Sequence, residues 1–197
     1  KSTDKGISFS DLTTGMEISQ FYKISVSKST SGKIAGGLQD NGGFGYSNNQ
    51  WNNYHGGDGM EAAIDPNNDN FYYGFMQYGT YLFLSTSAGQ GGTQSILGAE
   101  VDSQNNGTGN WITPLAINSQ SEVYAGYKKL YRLNGNSWDE ISSSFGTNID
   151  VLEIDPSNSD NIYVAINNSL RKSTNRGISF SIFLKKLLRK NATIIYI

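Results

Sequence analysis

The sequence predicts an all-β chain of repeated four-stranded antiparallel units, the architecture of a partial or small β-propeller. Three observations carry this. The 197 residues include 23 Gly and 12 Tyr but only 3 Pro, and Asn and Ser are abundant. That composition suits short strands joined by tight turns, and Ala, Leu, Glu and Lys are comparatively scarce for a helical protein. A ten-residue segment near the start, Lys1-Ser-Thr-Asp-Lys-Gly-Ile-Ser-Phe-Ser10, recurs near the end as Lys172-Ser-Thr-Asn-Arg-Gly-Ile-Ser-Phe-Ser181, with eight positions identical. Between them a strand–polar turn–strand pattern repeats at a blade-like interval.

The clearest copies of that pattern run from Ala62 to Gly74 and from Leu152 to Ala165, each through an Ile-Asp-Pro turn. Weaker copies run from Ile24 to Gly36 and from Leu115 to Gly126. Taking Ser27, Asp65, Asn118 and Asp155 as equivalent gives spacings of 38, 53 and 37 residues. Their mean lies within the ~40–45 residues of a four-stranded blade. A third strand follows in each unit (Gly43 to Asn48, Tyr81 to Ser87, Leu130 to Asn134, Leu170 to Thr174), then a fourth, opened by Trp51 and Trp138 in two units. The units fall at about 17–57, 58–108, 109–147 and 148–181, with 1–16 closing an earlier blade. Tyr72, Tyr124 and Tyr163 are expected at one equivalent second-strand position between blades. Residues 182–197 form an atypical tail: from Ile182 to Lys190 there is no Gly, and helix-like spacing stands where a fourth strand is expected.

A net charge of −2 leaves no concentrated basic face for nucleic-acid phosphates, the one basic cluster being Lys185, Lys186, Arg189 and Lys190. No apolar run approaches the ~18 residues of a membrane span. The absence of cysteine excludes disulfides and thiol chemistry. The chain opens inside a motif and reads as a fragment of something longer.

Ser2-Thr-Asp-Lys-Gly-Ile-Ser-Phe9 resembles the Asp-box, or BNR repeat, Ser-x-Asp-x-Gly-x-Ser/Thr-Trp/Phe. Gly6 and Gly177 supply positive φ for a hairpin; Ser2, Asp4, Ser173 and Asn175 bond turn amides; Phe9 and Phe180 pack under the turn. Ser85 to Gly89 is a degraded third copy. With Gly36 to Gly42, Gly56 to Glu61 and the Ile-Asp-Pro turns, the chain up to Phe180 is similar to the sortilin-like and xyloglucanase-like propellers of exported bacterial proteins. The resemblance implies a secreted or cell-surface location and a glycan- or protein-binding role in a larger multidomain chain.

The candidate chemistry lies in two Gly-bracketed acidic loops, Leu38-Gln-Asp-Asn-Gly-Gly43 and His55-Gly-Gly-Asp-Gly-Met-Glu61. Asp40, Asp58 and Glu61 could supply the carboxylate pair that glycoside hydrolysis needs. Asp40, Asn41, Trp51, Tyr54, His55 and Asp58 are the candidate ligand contacts, with Phe44, Trp51 and Tyr54 as sugar-stacking rings. Asp flanked by Gly is equally what a tight turn wants. A sialidase would need three clamping arginines, and the four present (Arg132, Arg171, Arg176, Arg189) are not so arranged. No cofactor is expected, although the oxygen-rich turns Asp65 to Asp69 and Asp155 to Asp160 could suit calcium. The expected function is a non-catalytic extracellular module that binds a glycan or protein or acts as scaffold. A β-glucan hydrolase and a sortilin-like peptide-binding propeller are the alternatives.

Overall fold

The computed structural model describes residues 2–10, 19–30 and 32–185. Among them sixteen strands form four antiparallel four-stranded sheets, each in simple meander order. Blade 1 holds β1 (Phe21–Val26), β2 (Ile34–Leu38), β3 (Gly42–Ser47) and β4 (Gln50–His55). Blade 2 holds β5 (Gly59–Ile64), β6 (Tyr72–Met76), β7 (Tyr81–Ser85) and β8 (Gln94–Leu97). Blade 3 holds β9 (Leu115–Ile117), β10 (Val123–Gly126), β11 (Leu130–Asn134) and β12 (Ser137–Glu140), and blade 4 holds β13 (Val151–Ile154), β14 (Ile162–Ile166), β15 (Ser169–Ser173) and β16 (Ser181–Lys185).

The first turn of every blade is built alike. The amides of Ser27, Asp65, Asn118 and Asp155 donate to the carbonyls of Lys33, Phe71, Glu122 and Asn161 at 2.9–3.1 Å, closing the β1–β2 class of turn. The same four side chains accept from amides inside the turn: Ser27 Oγ from Thr30, Asp65 Oδ1 from Asn67 and Asn68, Asn118 Oδ1 from Gln120 and Glu122, Asp155 Oδ1 from Ser157 and Asn158. Short polar side chains do this because their oxygen reaches the amide two to four residues on. These turns also tie neighbouring blades. Lys33 Nζ meets Asp69 Oδ1 at 2.6 Å, Ser121 Oγ donates to Asp65 Oδ1 at 2.7 Å, and Ser119 and Ser159 share a hydrogen bond.

The third recurring device is the box hairpin. In Ser2–Phe9, Ser85–Gly89 and Ser173–Phe180 the Ser Oγ accepts from the Gly amide four residues on, at 2.8, 3.0 and 2.9 Å. Each Gly has φ near +85° and follows a residue also at positive φ (Lys5, Ala88, Arg176). Asn175 Oδ1 accepts the Ser179 amide just as Asp4 Oδ1 accepts that of Ser8, so the amide replaces the carboxylate without loss of the bond. Phe180 packs edge-on against Phe145, 5.2 Å between ring centres. Phe9, expected under its own turn, is instead exposed, residues 2–10 forming no strand to carry it against a sheet.

Two further expectations are corrected. The helix-like run from Ile182 does not displace the fourth strand: β16 pairs with β15 from Lys172↔Ser181 to Ser169↔Lys185. A short apolar run satisfies either period, and the free edge of β15 decides. The rest of the tail, residues 186–197, with Arg189, lies outside the described residues, as do Lys1 and residues 11–16 of the segment read as closing an earlier blade. Tyr72 is also not equivalent to Tyr124 and Tyr163. Register pairs Tyr73 with Ala63, Tyr124 with Ala116 and Tyr163 with Glu153, whereas Tyr72, Val123 and Ile162 each sit opposite the isoleucine that precedes the turn residue. A slip of one residue reverses the face. Tyr72 therefore points to blade 1, donating to the Tyr46 carbonyl at 3.1 Å, and Tyr73 points to blade 3.

The core lies between blades rather than within them. One cluster joins Ala35 and Tyr54 of blade 1 to Ala62, Ile64 and Tyr72 of blade 2. A second joins Met60, Tyr73, Phe75, Leu82 and Ile96 to Leu115, Val123, Ala125, Tyr127 and Tyr131, and a third joins Tyr124 and Leu130 to Ile149, Leu152, Ile162, Val164 and Ile166.

Candidate functional site

The β2–β3 turn, the 56–58 link, the 3₁₀ turn Gln77–Gly79 after β6 and the loop before β9 converge at one end of the blades. Asp58 Oδ1 accepts the Asp40 amide at 2.7 Å, and the Asp58 amide donates to Gln77 Oε1 at 3.2 Å. Asp40 has φ +59°, which leaves its amide pointing out of the turn and in need of an acceptor. Blade 4 repeats the device, the Asn167 amide (φ +53°) donating to Asp150 Oδ2 at 2.7 Å. Asn41 caps its own turn through Nδ2 on the Gln39 carbonyl, 2.8 Å. The two acidic loops thus meet, but through a carboxylate-to-amide bond.

Glu61 lies one strand inward, on β5. Its Oε2 is 3.4 Å from Lys23 Nζ, and it is mostly shielded from water. Burial pushes its carboxyl up to about 7 from the ordinary 4.5; Lys23 pulls it down and Glu153 of blade 4 pushes it further up. A carboxyl raised in the fold favours folding fully below 4.5, and that contribution is lost as pH rises through 7. Glu61→Gln, which keeps shape and stays neutral, is therefore expected to abolish a decline in melting temperature between pH 4.5 and 7.5; thermal melts across that window check it.

Tyr54 and His55 are buried, away from any surface ligand. Tyr54 donates to the Tyr73 carbonyl at 3.3 Å, and the His55 ring stacks on Phe83 at 4.5 Å and 5°. Desolvation holds His55 down at about 4, so it is neutral at physiological pH, and its Nδ1 lies 2.9 Å from the Gly56 carbonyl oxygen. Trp51 and Phe44 lie on the outer face of blade 1, not at the loop end, because both project with Tyr46 and Ile34 from the side of the sheet opposite blade 2. The Asp65 and Asp155 turns spend Oδ1 on amides, and no group of three or more His, Cys, Asp or Glu side chains able to hold a metal exists among the described residues.

The sequence did not point to the aromatic residues at the loop end. Trp111, from the loop before β9, meets Tyr22 of β1 edge-on at 6.3 Å and Tyr78 of the 3₁₀ turn at 5.1 Å. Three rings from three blades thus gather beside Gln77, with Tyr78 and Trp111 well exposed. Tyr78 has φ +59°, a strained conformation for a bulky residue. It is fixed there by two backbone bonds to the neighbouring loop, Tyr78 amide to the Trp111 carbonyl (3.2 Å) and Gly109 amide to the Tyr78 carbonyl (3.0 Å). The available signal was an aromatic beside Gly in each loop, Tyr78-Gly79 and Gly109-Asn110-Trp111, the same bracketing that drew attention to Asp40 and Asp58. No helix among the described residues is long and apolar enough to cross a membrane.

No protein-family model matches the chain, and no curated protein matches it in sequence. Solved structures do match. A GH74 enzyme from Niastella koreensis superposes with a TM-score of 0.64 at 20% identity, covering 84% of this chain and 30% of that one. The GH74 xyloglucanase from Xanthomonas campestris gives 0.59 at 13%, covering 80% and 24%. The Cps50 (Swd1) β-propeller domain from Myceliophteria thermophila gives 0.60 at 10%, covering 84% and 58%. The chain spans less than a third of the length of the two GH74 enzymes. At these identities the likeness is one of fold, and the fold is that of β-propeller blades.

Proposed function

We propose that the chain is a non-catalytic, extracellular propeller module that binds a glycan at its loop end, with Trp111 and Tyr78 as the stacking surface and Asp40, Asn41, Asp58 and Gln77 at the rim. The observation that carries this is the gathering of Tyr22, Tyr78 and Trp111 from three blades around a strained, doubly tethered Tyr78. Ring faces suit the apolar C–H faces of a pyranose, and neighbouring amides and carboxylates suit its hydroxyls. Asp58 already serves the Asp40 amide, which favours binding over acid–base work. The resemblance of its repeats to the propellers of exported bacterial proteins supports a location outside the cell.

Titration with soluble β-glucan oligosaccharides, followed by tryptophan fluorescence, tests the reading. Saturable binding that weakens at least about tenfold in Trp111→Ala is expected, a stacked ring being worth about 1.5 kcal/mol. Binding indifferent to Trp111, or binding only of peptides, sinks it. The raised carboxyl of Glu61 favours a second reading, a glycoside hydrolase with Glu61 as the acid. Reducing-sugar release that disappears in Glu61→Gln would establish that reading instead.

A further inference from the structure

The two exposed rings at the loop end stand among carboxylates, and the residue before each ring is the tether. Gln77 precedes Tyr78, and its Oε1 accepts the Asp58 amide at 3.2 Å. Asn110 precedes Trp111, and its Nδ2 donates to the Ile149 carbonyl at 3.0 Å and to Asp150 Oδ1 at 3.2 Å. Asp58 is thereby fixed beside the Tyr78 turn and Asp150 beside the Trp111 loop. Asp40 completes the set through its amide on Asp58 Oδ1.

These carboxylates differ in how far the fold uses them. Asp150 spends Oδ1 on Asn110 and Oδ2 on the Asn167 amide. Asp58 spends Oδ1 on the Asp40 amide. The Asp40 side chain is exposed and makes no hydrogen bond or ion pair among the described residues. None of the three is paired with a lysine or arginine among those residues. The β10–β11 turn, brought close by the Tyr127 bond to the Gly79 carbonyl, carries two lysines, but Lys129 is paired with Glu140 at 2.6 Å. Turn building explains an oxygen at position 58, which asparagine would supply as well. It explains nothing charged at position 40, where φ +59° suits asparagine equally. The acidity of this rim is therefore surplus to the fold.

We propose that the loop end selects glycans that carry amino groups, the ammonium of a glucosamine-type residue meeting Asp40 and Asp58 while a ring of the chain stacks on Tyr78 or Trp111. This rests on the glycan reading and adds the ligand's charge to it. An ammonium gains charge-assisted hydrogen bonds from carboxylates and attraction to the faces of exposed rings. A uronate would bring like charges together and be rejected. Exposure keeps each contribution modest, so the preference for an amino over a neutral oligosaccharide is expected to be about tenfold.

Tryptophan-fluorescence titrations with β-1,4-linked tetramers of glucosamine, N-acetylglucosamine and glucose, and with tetragalacturonate, test this at mildly acidic pH, where the sugar amines are protonated. The glucosamine tetramer should bind about tenfold tighter than the glucose tetramer, acetylation should remove the advantage, and added salt should shrink it. Tetragalacturonate should bind weakest. An Asp40→Asn, Asp58→Asn double variant, which keeps the oxygen serving the Asp40 amide, should bring the glucosamine and glucose tetramers within about twofold of each other. Equal binding of those two by the unaltered chain, tighter binding of tetragalacturonate, or a preference that survives the double variant overturns the proposal and leaves the glycan reading standing. A glucosamine preference that persists in Trp111→Ala reports attraction to an acidic chain in general and overturns it too. Binding of none of the four sinks both.

Discussion

Gly42→Ala is expected to destabilise the chain by about 4 kcal/mol, read as a large fall in the urea midpoint at constant slope. Gly42 has φ +78°, which costs an L side chain of order 1–3 kcal/mol by itself. Its Cβ would also fall inside the shell of the His55 carbonyl oxygen, a backbone atom that β3–β4 pairing holds in place. Gly59 has no room either, since its Cβ would overlap the Gly42 carbonyl, and that of Gly37 would overlap the Met60 carbonyl. Blades 1 and 2 therefore touch backbone to backbone where Gly37 and Gly59 meet Met60 and Gly42, and a methyl group on either pushes one sheet off the other, whereas at Gly42 it forces β3 away from β4. Gly56→Ala is the control: nothing lies within 4 Å of its Cβ and its φ is ordinary. A change below about 0.5 kcal/mol is expected there. Equal effects at the two positions would refute the close-approach account.

Tyr127→Ala is expected to cost a similar ~4 kcal/mol, the usual range for emptying a buried aromatic site. Tyr127 is fully buried, edge-on to Phe75 of blade 2 at 6.2 Å and to Tyr131 at 5.9 Å. Its hydroxyl donates to the Gly79 carbonyl at 2.6 Å. Tyr127→Phe separates the two roles. The ring stays, one buried carbonyl loses its donor, and about 1–2 kcal/mol should go. Gly79 closes the turn that presents Tyr78, so the phenylalanine variant should also bind glycan more weakly than its stability loss alone accounts for. Unchanged affinity in Tyr127→Phe would mean that the two tethers to the Trp111 loop suffice to hold Tyr78.

What the sequence disclosed follows from how local each feature is. The turns at Ser27, Asp65, Asn118 and Asp155, and the box hairpins, were readable because one side chain bonds amides two to four residues away. The strand count followed from those turns. Misreadings came where one residue decided a face: with Tyr72 and Tyr73 adjacent, pattern alone could not say which belonged with Tyr124. Trp51 and Trp138 were recognisable as parallel openings of a fourth strand, yet the lesson lay in Phe75 and Leu97, contributed by another blade. Tyr22, Tyr78 and Trp111 share no motif, and only the stacking of blades brings them together. The loops of Asp40 and Asp58 do meet, but through the Asp40 amide rather than through two carboxylates, and no sequence pattern tells where that hydrogen bond goes.

Because the apolar clusters straddle the seams, no blade owns a core. Among the described residues, blades 2 and 3 are each buttressed on both flanks and blades 1 and 4 on one. Such a chain behaves as a short one-dimensional array in which each seam carries its own share of cooperativity. Amide protons of β6 and β10 should exchange with solvent most slowly and those of β1 and β16 fastest, so that the molecule frays inward from its ends.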